Sequence, residues 1–225
     1  MADSISGVVA TLIAFAFSLS TFERYLERKR SHELAWSIAL LMFAIASGAL
    51  AVGASAGWTG VSFRIFYLFG GVTNVPFLAT GTIYLMLGRR WGNMAFVVVS
   101  LYSMFAAGVI ITERFHATLP HHELAQAAKV LPGLPEVLAG VGSGLGSIVL
   151  IGGAIYSAIK IRRGRLVIAN CLIAAGTLVT GASGLMNSVF DKMTAFSVSL
   201  SIGIAIIFVG FLIAADHTGP KVQPA

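Results

Sequence analysis

Residues 65–88 read IFYLFGGVTNVPFLATGTIYLMLG, twenty-four residues without an Asp, Glu, Lys, Arg or His. A helix needs about 20 apolar residues to cross the hydrocarbon core of a bilayer, and this stretch is long enough. It lacks the period-two alternation of an outer-membrane strand. Arg64 bounds it on one side, Arg89 and Arg90 on the other. Six further runs have the same character: 4–22, 34–63, 91–112, 137–159, 166–190 and 193–215. Only 11% of the 225 residues are charged, against about 25% in a soluble domain. The expected fold is all-α, a polytopic bundle of seven transmembrane helices, with no room for a separate soluble domain.

The net charge of +6 is distributed by side. Arg24, Arg28, Lys29 and Arg30 follow the first run, Arg89 and Arg90 the third, and Lys160, Arg162, Arg163 and Arg165 the fifth; with Lys221 they make eleven of the fifteen basic residues. Only Arg64, Arg114, Lys129 and Lys192 fall on the other side. This is the positive-inside pattern, and it predicts an outside N-terminus and a cytoplasmic C-terminus. The basic clusters are read as topogenic signals, with binding of anionic headgroups as the other option. No nucleic-acid partner is expected. The first run follows no positive segment, so it is not read as a cleavable signal peptide. The single Cys171 excludes an intrachain disulfide and a two-Cys metal site.

An internal repeat refines the architecture. Residues 45–56, IASGALAVGASA, and 173–184, IAAGTLVTGASG, agree at seven of twelve positions with an offset of 128, and Arg64 meets Lys192 at the same offset. The expected organisation is one transmembrane domain: repeat one over 1–90, a linker helix over 91–112, an outer loop over 113–136, repeat two over 137–217 and a disordered tail over 218–225. Parallel repeats are a recurrent transporter design, with the substrate near the midplane. The 3+1+3 layout with an outside N-terminus resembles that of the SWEET and PQ-loop transporters, as do Thr21-Phe22 and Asn74. The chain departs from them in lacking their paired prolines in spans one and five and the PQ dipeptide. The stretch FRIFYLFGGVTNVPFLATGTIYLMLGRRW, residues 63–91, looks like that of uncharacterised bacterial membrane proteins. That resemblance implies the cytoplasmic (plasma) membrane of a bacterium, and no activity.

Absences narrow the function. No ionisable residue lies deep in a run, which weakens proton pumps and proton-coupled carriers. The last run has no lysine for retinal, and all five histidines lie in loops or the tail, so no cofactor is expected. His116, His121 and His122 stand near Glu113 and Glu123 in the outer loop as weak metal candidates beside the plainer reading of solvated loop residues. His122-Glu123-Leu124-Ala125-Gln126 and His32-Glu33-Leu34-Ala35-Trp36 both lack the second His of a zinc-protease helix. Gly140, Gly142, Gly144 and Gly146 open the fifth span, where small residues favour close helix packing rather than a dinucleotide loop. Ala44 with Gly48, and Gly176 with Thr180 and Gly184, mark two further seams. Trp36, Trp58 and Trp91 fall near span ends and are expected at headgroup level. Residues 122–131 are expected to form about two interfacial helical turns.

The third run is the expected functional centre. Pro76 cannot donate to the Val72 carbonyl, and Gly70 and Gly71 ease a bend, so Pro76 and Gly71 are read as a hinge. The freed carbonyl must find a partner or water. Asn74, Thr73, Thr80, Tyr102, Thr177 and Ser201 are the candidate ligand-binding residues. Helix–helix glue is the competing account of the same side chains. The expected function is facilitative transport of a small neutral or weakly polar solute through a midplane site. The alternative is a receptor or sensor module binding a lipid or apolar ligand. No nucleophile–base set supports an enzyme. Expected partners are membrane lipids and a small-molecule ligand, with a homo-oligomer left open.

Overall fold

The computed structural model describes residues 2–119, 127–157, 159, 164–190 and 193–216. Every regular element among them is helical. Helix α1 covers Ala2–Arg28, α2 Ser31–Ala56, α3 Gly60–Phe66 and α4 Asn74–Leu87, with a π-helical segment over Tyr67–Thr73 joining α3 to α4. Then come α5 (Arg89–Thr112), the short α6 (Ala127–Val130), α7 (Leu134–Tyr156), α8 (Gly164–Phe190) and α9 (Met193–Asp216). Five continuous stretches are long and apolar enough to cross a membrane: Gly7–Arg28, Ser31–Ala56, Gly60–Leu87, Arg89–Thr112 and Leu134–Tyr156. Helices α8 and α9 contribute shorter apolar stretches, Gly164–Thr180 and Ser201–Ile213. Of the expected interfacial turns, only α6 falls in the described residues. His121, His122, Lys160, Arg162, Arg163, Lys192 and the tail from 217 onward lie outside them.

Local chemistry sets the helix ends. Thr59 caps α3 by accepting from the Ser62 backbone N–H, and Ser62 accepts in return from that of Thr59, a reciprocal capping box. Gly88, at φ +82, makes the turn between α4 and α5 in a region that side-chain-bearing residues avoid. Arg64 closes the far end of α5: its guanidinium donates to the carbonyls of Ile110 at 2.9 Å and Glu113 at 2.7 Å while lying over the Phe115 ring. Those carbonyls have no partner within their own helix.

Six helices close into a ring. Helix α1 packs on α2, α2 on α4, α4 on α7, α7 on α8, α8 on α9, and α9 back on α1. Helix α5 lies outside, against α4, and buries only Gly92, Ala106 and Ile110. Small residues set the close approaches. A Cβ on Gly7 would press on the Ala51 backbone of α2, and one on Gly176 would stand 2.7 Å from the Gly203 carbonyl of α9. Gly48 faces Thr11 of α1 with ordinary clearance, 3.7 Å, so it is the looser of the two expected seams. Gly142 and Gly146 of α7 pack on the third crossing, whereas Gly140 and Gly144 meet nothing within 4 Å. Helical periodicity explains the split, since residues four apart share a face and those two apart do not.

The three tryptophans differ in exposure. Trp91 is exposed at the start of α5, as an interfacial indole should be, but Trp36 is 1% exposed and stacked on Phe211 of α9 inside the ring. Helix α2 begins at Ser31, so Trp36 is already in its second turn. Trp58 is also buried, against Gly53, Phe63 and Phe66.

Candidate functional site

The third crossing is irregular where its sequence requires it to be. Pro76 removes one backbone donor, and the turns before it widen into the π segment. The Thr73 hydroxyl donates to the Leu68 carbonyl five residues back, at 2.9 Å. Ser143 of α7 donates to the Gly71 carbonyl at 2.8 Å. The Val72 carbonyl, freed by Pro76, faces Gly142, where a Cβ would stand 2.7 Å from it. Gly146 fits against Val75 and the Pro76 nitrogen. Thus α7 supplies both a hydroxyl and two bare glycines to the kink, and Pro76 and Gly71 lie at this junction.

The expected ligand residues separate into groups. Asn74 opens α4 at 5% exposure. Thr73 is buried, with Met42 sulfur at 3.6 Å from its hydroxyl. Thr80 donates to the Pro76 carbonyl at 2.9 Å, and Tyr102 of α5 donates to the Leu138 carbonyl of α7. Thr80 and Tyr102 also line an apolar groove between α4, α5 and α7. Thr177 donates to its own helix at Ile173 and, with Ser201, belongs to the α8–α9 pair beside Gly176 and Gly203. The structure therefore gathers Thr73, Asn74, Thr80 and Tyr102 around the third crossing and leaves Thr177 and Ser201 apart. His116 is exposed, its backbone N–H bonded to the Val130 carbonyl. Among the described residues, no three His, Cys, Asp or Glu side chains group as a metal site.

A second set of polar residues was not visible as a set in the sequence. It lies toward the end of the bundle that carries Arg24, Arg28 and Arg30, hereafter the basic end. Glu33 of α2 is wholly buried, and neither carboxylate oxygen has a hydrogen-bond partner. His32 Nε2, Trp36 Nε1, Thr82 Oγ1, Ser157 Oγ and Asn170 Oδ1 are also buried without partners. Four helices contribute, and contacts tie them to the last turns of α4. The Trp36 indole lies against Gly81; Thr82 lies against Gly153, one turn before Ser157; the Asn170 amide nitrogen donates to the Leu166 carbonyl and lies 3.9 Å from Met86 sulfur. Chemically the set is rich in acceptors. Glu33 in its charged form and Asn170 Oδ1 only accept, Trp36 only donates, and the two hydroxyls do both. His32 and Glu33 belong to the first turn of α2, at its end rather than deep within it. The signal was the spacing Glu33, Trp36, Leu40, which continues the inward stripe of α2 backward by one turn.

No protein-family model, curated protein or solved structure matches the chain, and none of these comparisons ties it to the SWEET or PQ-loop families.

Proposed function

We propose that the chain is a facilitative transporter of a small neutral or weakly polar solute, with seven crossings and its basic end in the cytoplasm. The observation that carries this reading is the set of buried polar groups without hydrogen-bond partners at the basic end. Each such group costs roughly 1–3 kcal/mol. Six of them together would cost about as much as the whole stability of a typical domain, roughly 5–15 kcal/mol. Water or a polar solute relieves that cost when it occupies the site. Farther along α2, Ser47 is also buried without a partner, with Leu40, Phe43 and Ala44 in the hydrophobic core between it and Trp36. Asn74 lies on the α2-facing side of the third crossing, in register with Gly70 and Gly81.

The division into repeats, 1–90 and 137–217, is part of the proposal. In support, the middle helix of each set of three lies between the other two, α2 between α1 and α4 and α8 between α7 and α9. The sets also meet twice, α4 on α7 and α9 on α1, as a twofold axis along the membrane normal would require. Against close symmetry, Gly48 faces α1 while its repeat counterpart Gly176 faces α9. The alternative, a receptor module for a lipid or apolar ligand, draws support from the apolar groove between α4, α5 and α7.

Solute flux tests the reading. In proteoliposomes under an osmotic step, urea or glycerol should equilibrate faster than in protein-free vesicles, as measured by light scattering. Asn74→Ala should abolish the gain while the protein still folds and inserts. If no neutral solute passes faster with the wild-type protein, transport is rejected. If Asn74→Ala lowers stability but leaves flux per folded molecule intact, Asn74 is helix–helix glue.

A further inference from the structure

We propose that the groove between α4, α5 and α7 binds one acyl chain of an anionic phospholipid, whose phosphate is held by Arg89 and Arg90. The groove consists of two cavities of about 190 and 270 Å³ that share Ile83 and Val149 and so lie end to end. It exists because α7 presents glycine along this side: Gly142 and Gly146 line the first cavity, Gly152 and Gly153 the second. From Val141 to Tyr156 it follows α7 for about 22 Å, more than the roughly 15 Å of hydrocarbon in one leaflet. Its walls are apolar except for Thr80, Tyr102, Tyr156 and Thr82, the last with a buried hydroxyl that has no hydrogen-bond partner. The Thr80 and Tyr102 hydroxyls at its rim already donate to the Pro76 and Leu138 carbonyls, so the groove itself favours a hydrocarbon chain.

An independent observation identifies the headgroup. The second cavity ends at Leu87, and the chain turns at Gly88 directly into Arg89 and Arg90. Both arginines are exposed. They occupy the first turn of α5, which contains no acidic residue. Cations are disfavoured at a helix N-terminus, where the dipole is positive, so helix stability does not account for them. An anion there meets two guanidiniums and the free N–H groups of the first turn. The exposed Trp91 beside them is placed for headgroup level. A neutral apolar ligand would leave this positive end uncompensated, and a second copy of the chain would bring its own two arginines against it. A phosphodiester attached to an acyl chain satisfies both ends of the groove. The inference stands whether the molecule transports or senses.

Native mass spectrometry of the detergent-purified protein tests it, with phosphatidylglycerol and phosphatidylcholine of the same chains added separately. Wild type should retain phosphatidylglycerol preferentially, by roughly thirtyfold for two surface arginines at about 1 kcal/mol each. Arg89→Gln/Arg90→Gln should remove that preference and leave the weaker retention of phosphatidylcholine unchanged. Gly152→Leu should reduce retention of both lipids, since a Cβ at Gly152 meets nothing within 4 Å and the larger side chain enters the groove without displacing the backbone. Thermal melts serve as the control, because all three positions are exposed and the variants should fold. Equal retention of the two lipids by wild type would overturn the proposal, as would a preference that survives in the double variant. A dimer that Gly152→Leu dissolves would assign the groove to a second copy of the chain instead.

Discussion

Glu33 combines two properties that proteins seldom keep together: it is wholly buried, and neither carboxylate oxygen is hydrogen-bonded. If its work is to meet a solute, removing it should help the fold and harm the function. Glu33→Leu is expected to stabilise the protein by about 1–3 kcal/mol and raise its melting temperature by several degrees, while abolishing solute flux. A lower melting temperature would mean that Glu33 holds the fold together. At this scale the sequence was informative where backbone chemistry decides. Pro76 has no N–H, so trouble at the Val72 carbonyl was legible from the residue type alone. What was not legible was how that trouble is resolved, because Ser143 and Gly142 come from a helix some seventy positions away. That Glu33 is wholly buried was not legible either, because the helices that cover the first turn of α2 come from elsewhere in the chain.

At the scale of elements, glycine pairs on one helix make the sharpest comparisons. On α7, Gly146→Leu should force Val75 and the Pro76 backbone apart and cost about 1–3 kcal/mol. Gly144→Leu, two residues away, meets nothing and should leave the melting temperature unchanged. Equal effects at the two positions would show that α7 is rotated from the face described. The same contrast separates α2 from α8. Gly176→Ala should destabilise, because its methyl group would crowd the Gly203 carbonyl, whereas Gly48→Ala has room beside Thr11. A melt that ranks these two in the opposite order would refute this account of the seams. Helix existence was readable because seven long uncharged runs admit few alternatives. Which glycines form contacts was not, since Gly140 to Gly146 alternate between a packed face and an open one within a single motif.

For the whole molecule, the proposed orientation makes a labelling prediction. In a Cys171→Ser background, Thr118→Cys should react with an impermeant thiol reagent added to intact cells, and Gly164→Cys should react only after lysis. Both positions are exposed, so the reverse pattern would sink the orientation. The long apolar helices were legible from composition; the closed ring was not, because α1 and α9, which complete it, stand at opposite ends of the chain. If the proposed repeats hold, the outlying position of α5 has a consequence for how such a chain can be assembled. Three crossings followed directly by three would deliver the second set upside down relative to the first. One extra traverse would restore parity, and parity makes no demand on which side chains perform it. Helix α5 would then be a return stroke more than a wall, with the side chains on its outward face free to answer to the lipid around it.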